Sequence, residues 1–136
     1  MKVYKFFYKA CRIVPALILL QSLWFKFTAS PESVHIFRTL GVEPVGRIFV
    51  GVMEAIAVVF LLARKTAHIG AILVVVLMLG AIFAHLTKLG ISVQNDGGLL
   101  FGLALSNLVM ALVVLYRHRR KLPFFNRVES NEKTSQ

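Results

Sequence analysis

A chain of 136 residues that is 57% hydrophobic and only 16% charged is too apolar for a disordered segment, a coiled coil or an ordinary water-soluble domain, where about a quarter of residues are charged. A formal net charge of +10 on so few charged residues requires the cations to be concentrated in a few places. The single cysteine, Cys11, excludes an internal disulfide, a CxxC redox pair and a multi-cysteine metal site.

Residues 1–12 carry Lys2, Lys5, Lys9 and Arg12 and read as a basic cytoplasmic N-terminus. The first apolar run, about 13–28 (IVPALILLQSLWFKFT), is broken by Gln21 and Lys26. Basic start and short apolar stretch resemble a signal peptide, but bulky Trp24, Phe25 and Phe27 before a cut at Ser30, and Pro31 after it, disfavour cleavage. The run is therefore read as a membrane span. Ser30-Pro31-Glu32 then offers an N-cap, a proline at the first helical position and an acid in the first turn. Val34, Ile36, Phe37 and Leu40 share a face before Gly41, so a short helix lying in the outer interface is expected. The remaining apolar runs are about 45–62, 67–86 and 97–116, with Thr66 and Asp96 as caps of the last two. Each is long enough for a hydrocarbon core of about 30 Å. Small residues recur at four-residue spacing (Gly51 and Ala55; Gly80 and Ala84; Gly98, Gly102 and Ser106) and read mainly as contacts within one bundle. Residues 117–136 form a basic, then polar, cytoplasmic tail. In it Pro123-Phe124-Phe125 returns to the headgroups, and residues from Glu129 onward are expected to be disordered.

These elements predict an all-α membrane protein, a four-transmembrane-helix bundle spanning residues 13–116, with a short interfacial helix in the first outer loop. Twelve of the sixteen Lys and Arg residues fall before the first span, between the second and third, or after the fourth. By the positive-inside rule both termini are cytoplasmic, in the bacterial inner membrane. Glu129 and Glu132 are the acids on that side, which therefore carries the whole net charge. The partner this surplus implies is a bilayer with anionic headgroups on its cytoplasmic face. Nucleic acid is not expected, because the basic run Arg117 to Lys121 abuts a span and lacks a fold that would present it to a groove.

The informative residues are polar ones where hydrocarbon is expected. Glu54 lies mid-span, where a carboxylate facing lipid would cost at least about 2.5–3.5 kcal/mol. It should face the bundle, either protonated or with a cationic partner. Lys26 and Gln21 in the first span, Arg47 in the second, His85 closing the third, and Asp96 and Asn107 in the fourth occupy the outer half or the midplane. Together the seven predict a polar binding pocket opening outward above an apolar inner plug. The pattern predicts no metal site, because Lys26 and Arg47 repel a cation. It predicts no autonomous catalysis either, because Ser106 has no recognisable base beside it.

The order of a lysine in WFKF, a glutamate in GVMEAIAVVFLL and a histidine in AIFAHL, followed by LTKLGISVQNDGGLLF, resembles the DoxX family of small four-helix membrane proteins over about residues 10–120. The chain departs from the pattern in having LLQSLWFKF where a glycine-containing lead-in is common, and in lacking the cysteine pair of thiol-oxidising relatives. The resemblance places Lys26, Glu54 and His85 at family positions. It implies an accessory subunit of a quinone-linked or oxidative-stress redox system, with quinone as the candidate cofactor and membrane redox proteins, or a second copy of the chain, as candidate partners. The alternatives it leaves are a membrane-protein scaffold or assembly chaperone, and a small-solute or proton transporter.

Overall fold

The computed structural model describes residues 2–119 and 130–135. It contains helices α1 (Lys2–Phe27), α2 (Pro31–Thr39), α3 (Val45–Leu62), α4 (Ala67–Ala84) and α5 (Leu99–Arg117). A π-helical turn, His85–Leu89, prolongs α4. Helices α1, α3, α4 and α5 are long and apolar enough to cross a membrane. They form a ring in which α1 packs on α3 and α5, and α4 packs on the same two, leaving α3 and α5 diagonal. Residues 28–44 and 85–98 connect the helices at one end, here the loop end. The start of α1, the end of α5 and residues 63–66 lie at the other, the terminal end.

Each long helix buries a narrow stripe and turns its remaining apolar residues outward. In α1 the stripe is Cys11, Arg12, Pro15, Ala16, Leu19 and Leu23, spaced three or four apart, while Leu17, Trp24 and Phe25 are exposed. Such helices have no polar face to show water, and their outward residues suit acyl chains.

Helix α1 starts at Lys2 rather than near residue 13; Lys2, Lys5 and Lys9 stay exposed, and its burial begins at Cys11 and Arg12. Arg12 is 7% exposed; its Nε donates to the Leu61 carbonyl at 3.0 Å and its terminal nitrogen to that of Leu62. The last four carbonyls of a helix lack internal partners. In α3 all four are satisfied: Val59 by the Ala63 amide, Phe60 by the Thr66 hydroxyl, Leu61 and Leu62 by Arg12. Thr66 is the N-cap residue of α4, as expected, while its hydroxyl makes no cap there and closes α3.

Helix α2 forms as its sequence predicts. Ser30 Oγ accepts from the Ser33 amide at 3.3 Å and Pro31 occupies the first turn. At the far end the Val42 amide donates to Phe37 and the Gly41 amide to Arg38, a Schellman closure that requires the positive φ of +77° at Gly41. Phe37 is buried, and α2 packs on α3, α1 and the π-turn, covering the loop end.

At Gly70 two helices meet backbone to backbone. A Cβ there would lie 2.7 Å from Leu61 Cα and 2.9 Å from the Ala57 carbonyl oxygen, so α4 rests on the backbone of α3. Gly51 similarly receives the Phe27 ring, 3.2 Å from where a Cβ would be. Gly80 and Gly102 have nothing within 4 Å of such an atom and, with Ser106, are exposed. The rows expected to pack inside the bundle are therefore split: Gly51 does so, whereas Gly80 and Gly102 face outward. Residues 130–134 form a helical turn where disorder was expected, with the Ser135 amide donating to Asn131. Pro123-Phe124-Phe125 and Glu129 lie outside the described residues.

Candidate functional site

Glu54 is the tenth residue of α3, about 13 Å from the loop end at 1.5 Å per residue. It is 3% exposed and faces the bundle. Its Oε1 is 3.1 Å from Lys26 Nζ, and the Ser22 hydroxyl is 3.5 Å from the same oxygen. Lys26 Nζ also donates to Ser22 Oγ. Residues 22 and 26 are one turn apart on α1, so the helix presents hydroxyl and ammonium together to the carboxylate. Ser22 was not foreseen, although its i, i+4 spacing from Lys26 was the available signal.

Arg47, expected to line the same pocket as Glu54, is paired with Glu43. Its Nε lies 2.8 and 3.0 Å from the two carboxylate oxygens of Glu43, one turn earlier. A second guanidinium nitrogen donates to the Lys26 carbonyl oxygen. Arg47 therefore supports the pair through the backbone of α1: it fixes the end of that helix from which the Lys26 side chain reaches Glu54. The seven-residue separation of Arg47 and Glu54 is too long for a direct contact, whereas Glu43 is at the spacing that allows one.

His85 and Asp96 make a separate group around the 90–98 loop. His85 is buried in the π-turn. Its Nδ1 is 2.9 Å from the Gly90 carbonyl, which can only accept, so that nitrogen carries the proton. The ring meets Phe101 edge-on, with centroids 5.6 Å apart. Asp96 accepts from the amides of Gly98 (2.8 Å), Val93 (3.0 Å) and Leu100 (3.1 Å). It organises the loop and the first turn of α5, consistent with the capping role expected of it. Desolvation pushes its carboxyl up, but the amides of Leu100, Gly98 and Val93 and the His85 charge outweigh it, so its pKa falls below the ordinary 3.8. Among the described residues no hydrogen bond or ion pair joins His85 or Asp96 to Glu54.

Asn107, 2% exposed, faces inward from α5, about 12 Å from the loop end and so in the same layer as Glu54. Glu54 Oε2 and Asn107 Oδ1 are buried with no hydrogen-bond partner among the described residues. Gln21 is exposed on the outer surface of α1 and does not belong to the cluster; one residue from Ser22, it is turned about 100° away. Among the described residues no three His, Cys, Asp or Glu side chains converge as a metal site.

Mostly beyond the spans read from the sequence, the terminal end carries a layer of polar contacts. Besides Arg12, the Tyr8 hydroxyl is 3.3 Å from His118 Nε2, and the His118 and His68 rings stack 6.0 Å apart. The Arg12, Arg117 and Arg119 guanidiniums lie over the rings of Tyr8, Tyr4 and Tyr116. The spacing signal is the helical extension of α1, which carries Tyr4, Tyr8 and Arg12 down one side at four-residue intervals.

Four apolar helices, with the buried Glu54 met by the half-buried Lys26 and Ser22, define a polytopic integral membrane protein with a polar group among its spans. The chain belongs to the DoxX-like family, whose family model matches residues 11–116. No curated protein and no solved structure matches it.

Proposed function

We propose that the protein is an accessory subunit of a quinone-linked or oxidative-stress redox system, seated in the bacterial inner membrane with both termini cytoplasmic. The observation that carries the reading is the Lys26–Ser22–Glu54 group, a charged pair with a bridging hydroxyl held inside an apolar bundle. Ion pairs at such depth are costly and mark ligand or proton pathways more often than they serve as packing. The residues suit the headgroup of a quinone–quinol couple: Glu54 can accept a hydrogen bond from a quinol hydroxyl, while the apolar outer surface suits a long hydrocarbon tail. When bound, such a headgroup would supply the electron chemistry. The chain itself would orient it and hold a proton on Glu54. The basic, tyrosine-backed terminal end supports contact with anionic headgroups on the cytoplasmic face.

The test is isolation of the tagged full chain in native lipid nanodiscs, with co-purifying proteins and quinones identified by mass spectrometry. Recovery of a membrane oxidoreductase or of quinone, and loss of quinone with Glu54→Leu, is the expected result. Nanodiscs that carry neither would sink the reading.

A scaffold or assembly role is the second reading. One observation favours it: Gly80, Gly102 and Ser106 are turned outward, where small residues let another membrane helix approach.

A further inference from the structure

We infer that the intramembrane site selects a neutral ligand that donates hydrogen bonds, so that if it takes a quinone at all, as the reading above requires, it holds the reduced dihydroxy form. Two acceptors carry the inference. Glu54 Oε2 and Asn107 Oδ1 are each on a side chain more than nine-tenths buried, and neither has a donor among the described residues. They project from the diagonal helices α3 and α5 in one layer of the bundle, about 13 and 12 Å from the loop end.

A buried acceptor without a donor costs about 1–3 kcal/mol, and more when it is charged. Two in one layer therefore favour whatever supplies two donors. The charged and hydroxyl donors around Glu54 are already engaged: Lys26 Nζ serves Oε1 and Ser22 Oγ, the Ser22 hydroxyl also faces Oε1, and the described bonds of Arg47 go to Glu43 and to the Lys26 carbonyl.

The charge balance separates the ligand classes. Lys26 and Glu54 already neutralise each other, so an entering cation would meet the Lys26 ammonium without a second carboxylate in the described site to balance it. Hydroxyl donors add no charge. The carbonyl oxygens of an oxidised quinone would set lone pairs against the two acceptors and leave both unsatisfied. A site built to hydrogen-bond hydroxyls rejects the analogue that lacks them. The hydroxyls of a dihydroxyaromatic meet both needs.

The experiment uses the purified full chain in nanodiscs and a short-tailed ubiquinol analogue, kept reduced under anaerobic conditions, against its oxidised quinone. Equilibrium binding is measured for each. The expected result is at least about tenfold tighter binding of the quinol, the equivalent of one hydrogen bond to a charged acceptor. Asn107→Leu should lower the quinol's advantage, and Glu54→Gln, which replaces one acceptor oxygen with an amide donor, should lower or invert it. Ser106→Ala, on the outer face, should leave it intact. Equal affinity, or tighter binding of the oxidised quinone, would overturn the inference while leaving the redox reading standing. Binding of neither form, with water alone meeting the two oxygens, would overturn both. The comparison of the two redox forms on the unaltered chain does not depend on any variant folding.

Discussion

Lys26 and Glu54 stabilise the bundle only as a pair. Removing one leaves an uncompensated charge in a medium that cannot hydrate it, at a cost of about 3–5 kcal/mol, whereas replacing both with apolar residues is often close to neutral. Glu54→Leu should therefore lower unfolding stability in detergent by about 3 kcal/mol, and Lys26→Met with Glu54→Leu should recover most of that. A double-mutant cycle followed by helical circular dichroism reads this, and additivity of the two changes would contradict the pairing. Asp96 gives a different prediction. Its carboxyl is held below its ordinary value in the folded chain, so its contribution is complete above about pH 4 and is lost as pH falls through the lower, folded value. Exchange of the Val93, Gly98 and Leu100 amides should accelerate over that acidic range, and Asp96→Asn should abolish the pH dependence. At this scale Glu54 was legible because an acid has no business in the middle of an apolar run. Its connection to Lys26 was legible only as a possibility, since the two are 28 residues apart and nothing in one dimension states which faces meet. Arg47 was read as a member of the same pocket, and its actual partner Glu43, one turn away, drew no notice.

Helices were the easiest features to read and their faces the hardest. Runs of apolar residues long enough to cross a bilayer fix the position of each span, and the Ser30-Pro31 start and the Gly41 stop delimit α2 by backbone chemistry alone. Runs apolar on every side carry no marker of which side turns inward, because lipid and protein interior accept the same residues. That is why Gly80 and Gly102 were read as internal, and why Gly70, which meets the α3 backbone, drew no notice. The two classes predict opposite responses. Gly70→Ala drives a methyl into the Leu61 backbone and should destabilise by about 1–3 kcal/mol. Gly80→Ala meets open space, gains helix propensity, and should be neutral or stabilise by up to about 1 kcal/mol. Thermal or denaturant unfolding of the two variants in the same detergent distinguishes them. The extension of α1 to Lys2 was hidden for a related reason: four cations in twelve residues look like a solvated tail until Arg12 finds the bare carbonyls at the end of α3.

The molecule as a whole is polarised. In sequence, twelve of its sixteen Lys and Arg residues lie before the first span, between the second and third, or after the fourth, and the rest of the chain carries as many acids as cations once Glu54 is counted. We propose from this charge pattern that the terminal end faces the cytoplasm, and the chain is well suited to a test because its one native thiol, Cys11, is buried. A membrane-impermeant maleimide added to intact spheroplasts should label Ser92→Cys and leave Lys133→Cys unmodified until the membrane is opened. The reverse pattern would invert the orientation. The charge asymmetry behind this proposal needs only a count of charges along the chain. The ring order of the helices was not legible, because which rods are neighbours and which stand across from each other depends on packing that no local pattern records.

The Arg12 clasp has a practical consequence for anyone handling the protein. A truncation that removes the first dozen residues, or a bulky fusion that pries them loose, would bare two peptide oxygens of α3 to fatty-acyl chains, at the level where α4 is wedged against the same turn through Gly70. Affinity handles and fluorescent reporters are better carried on the opposite terminus, after Gln136.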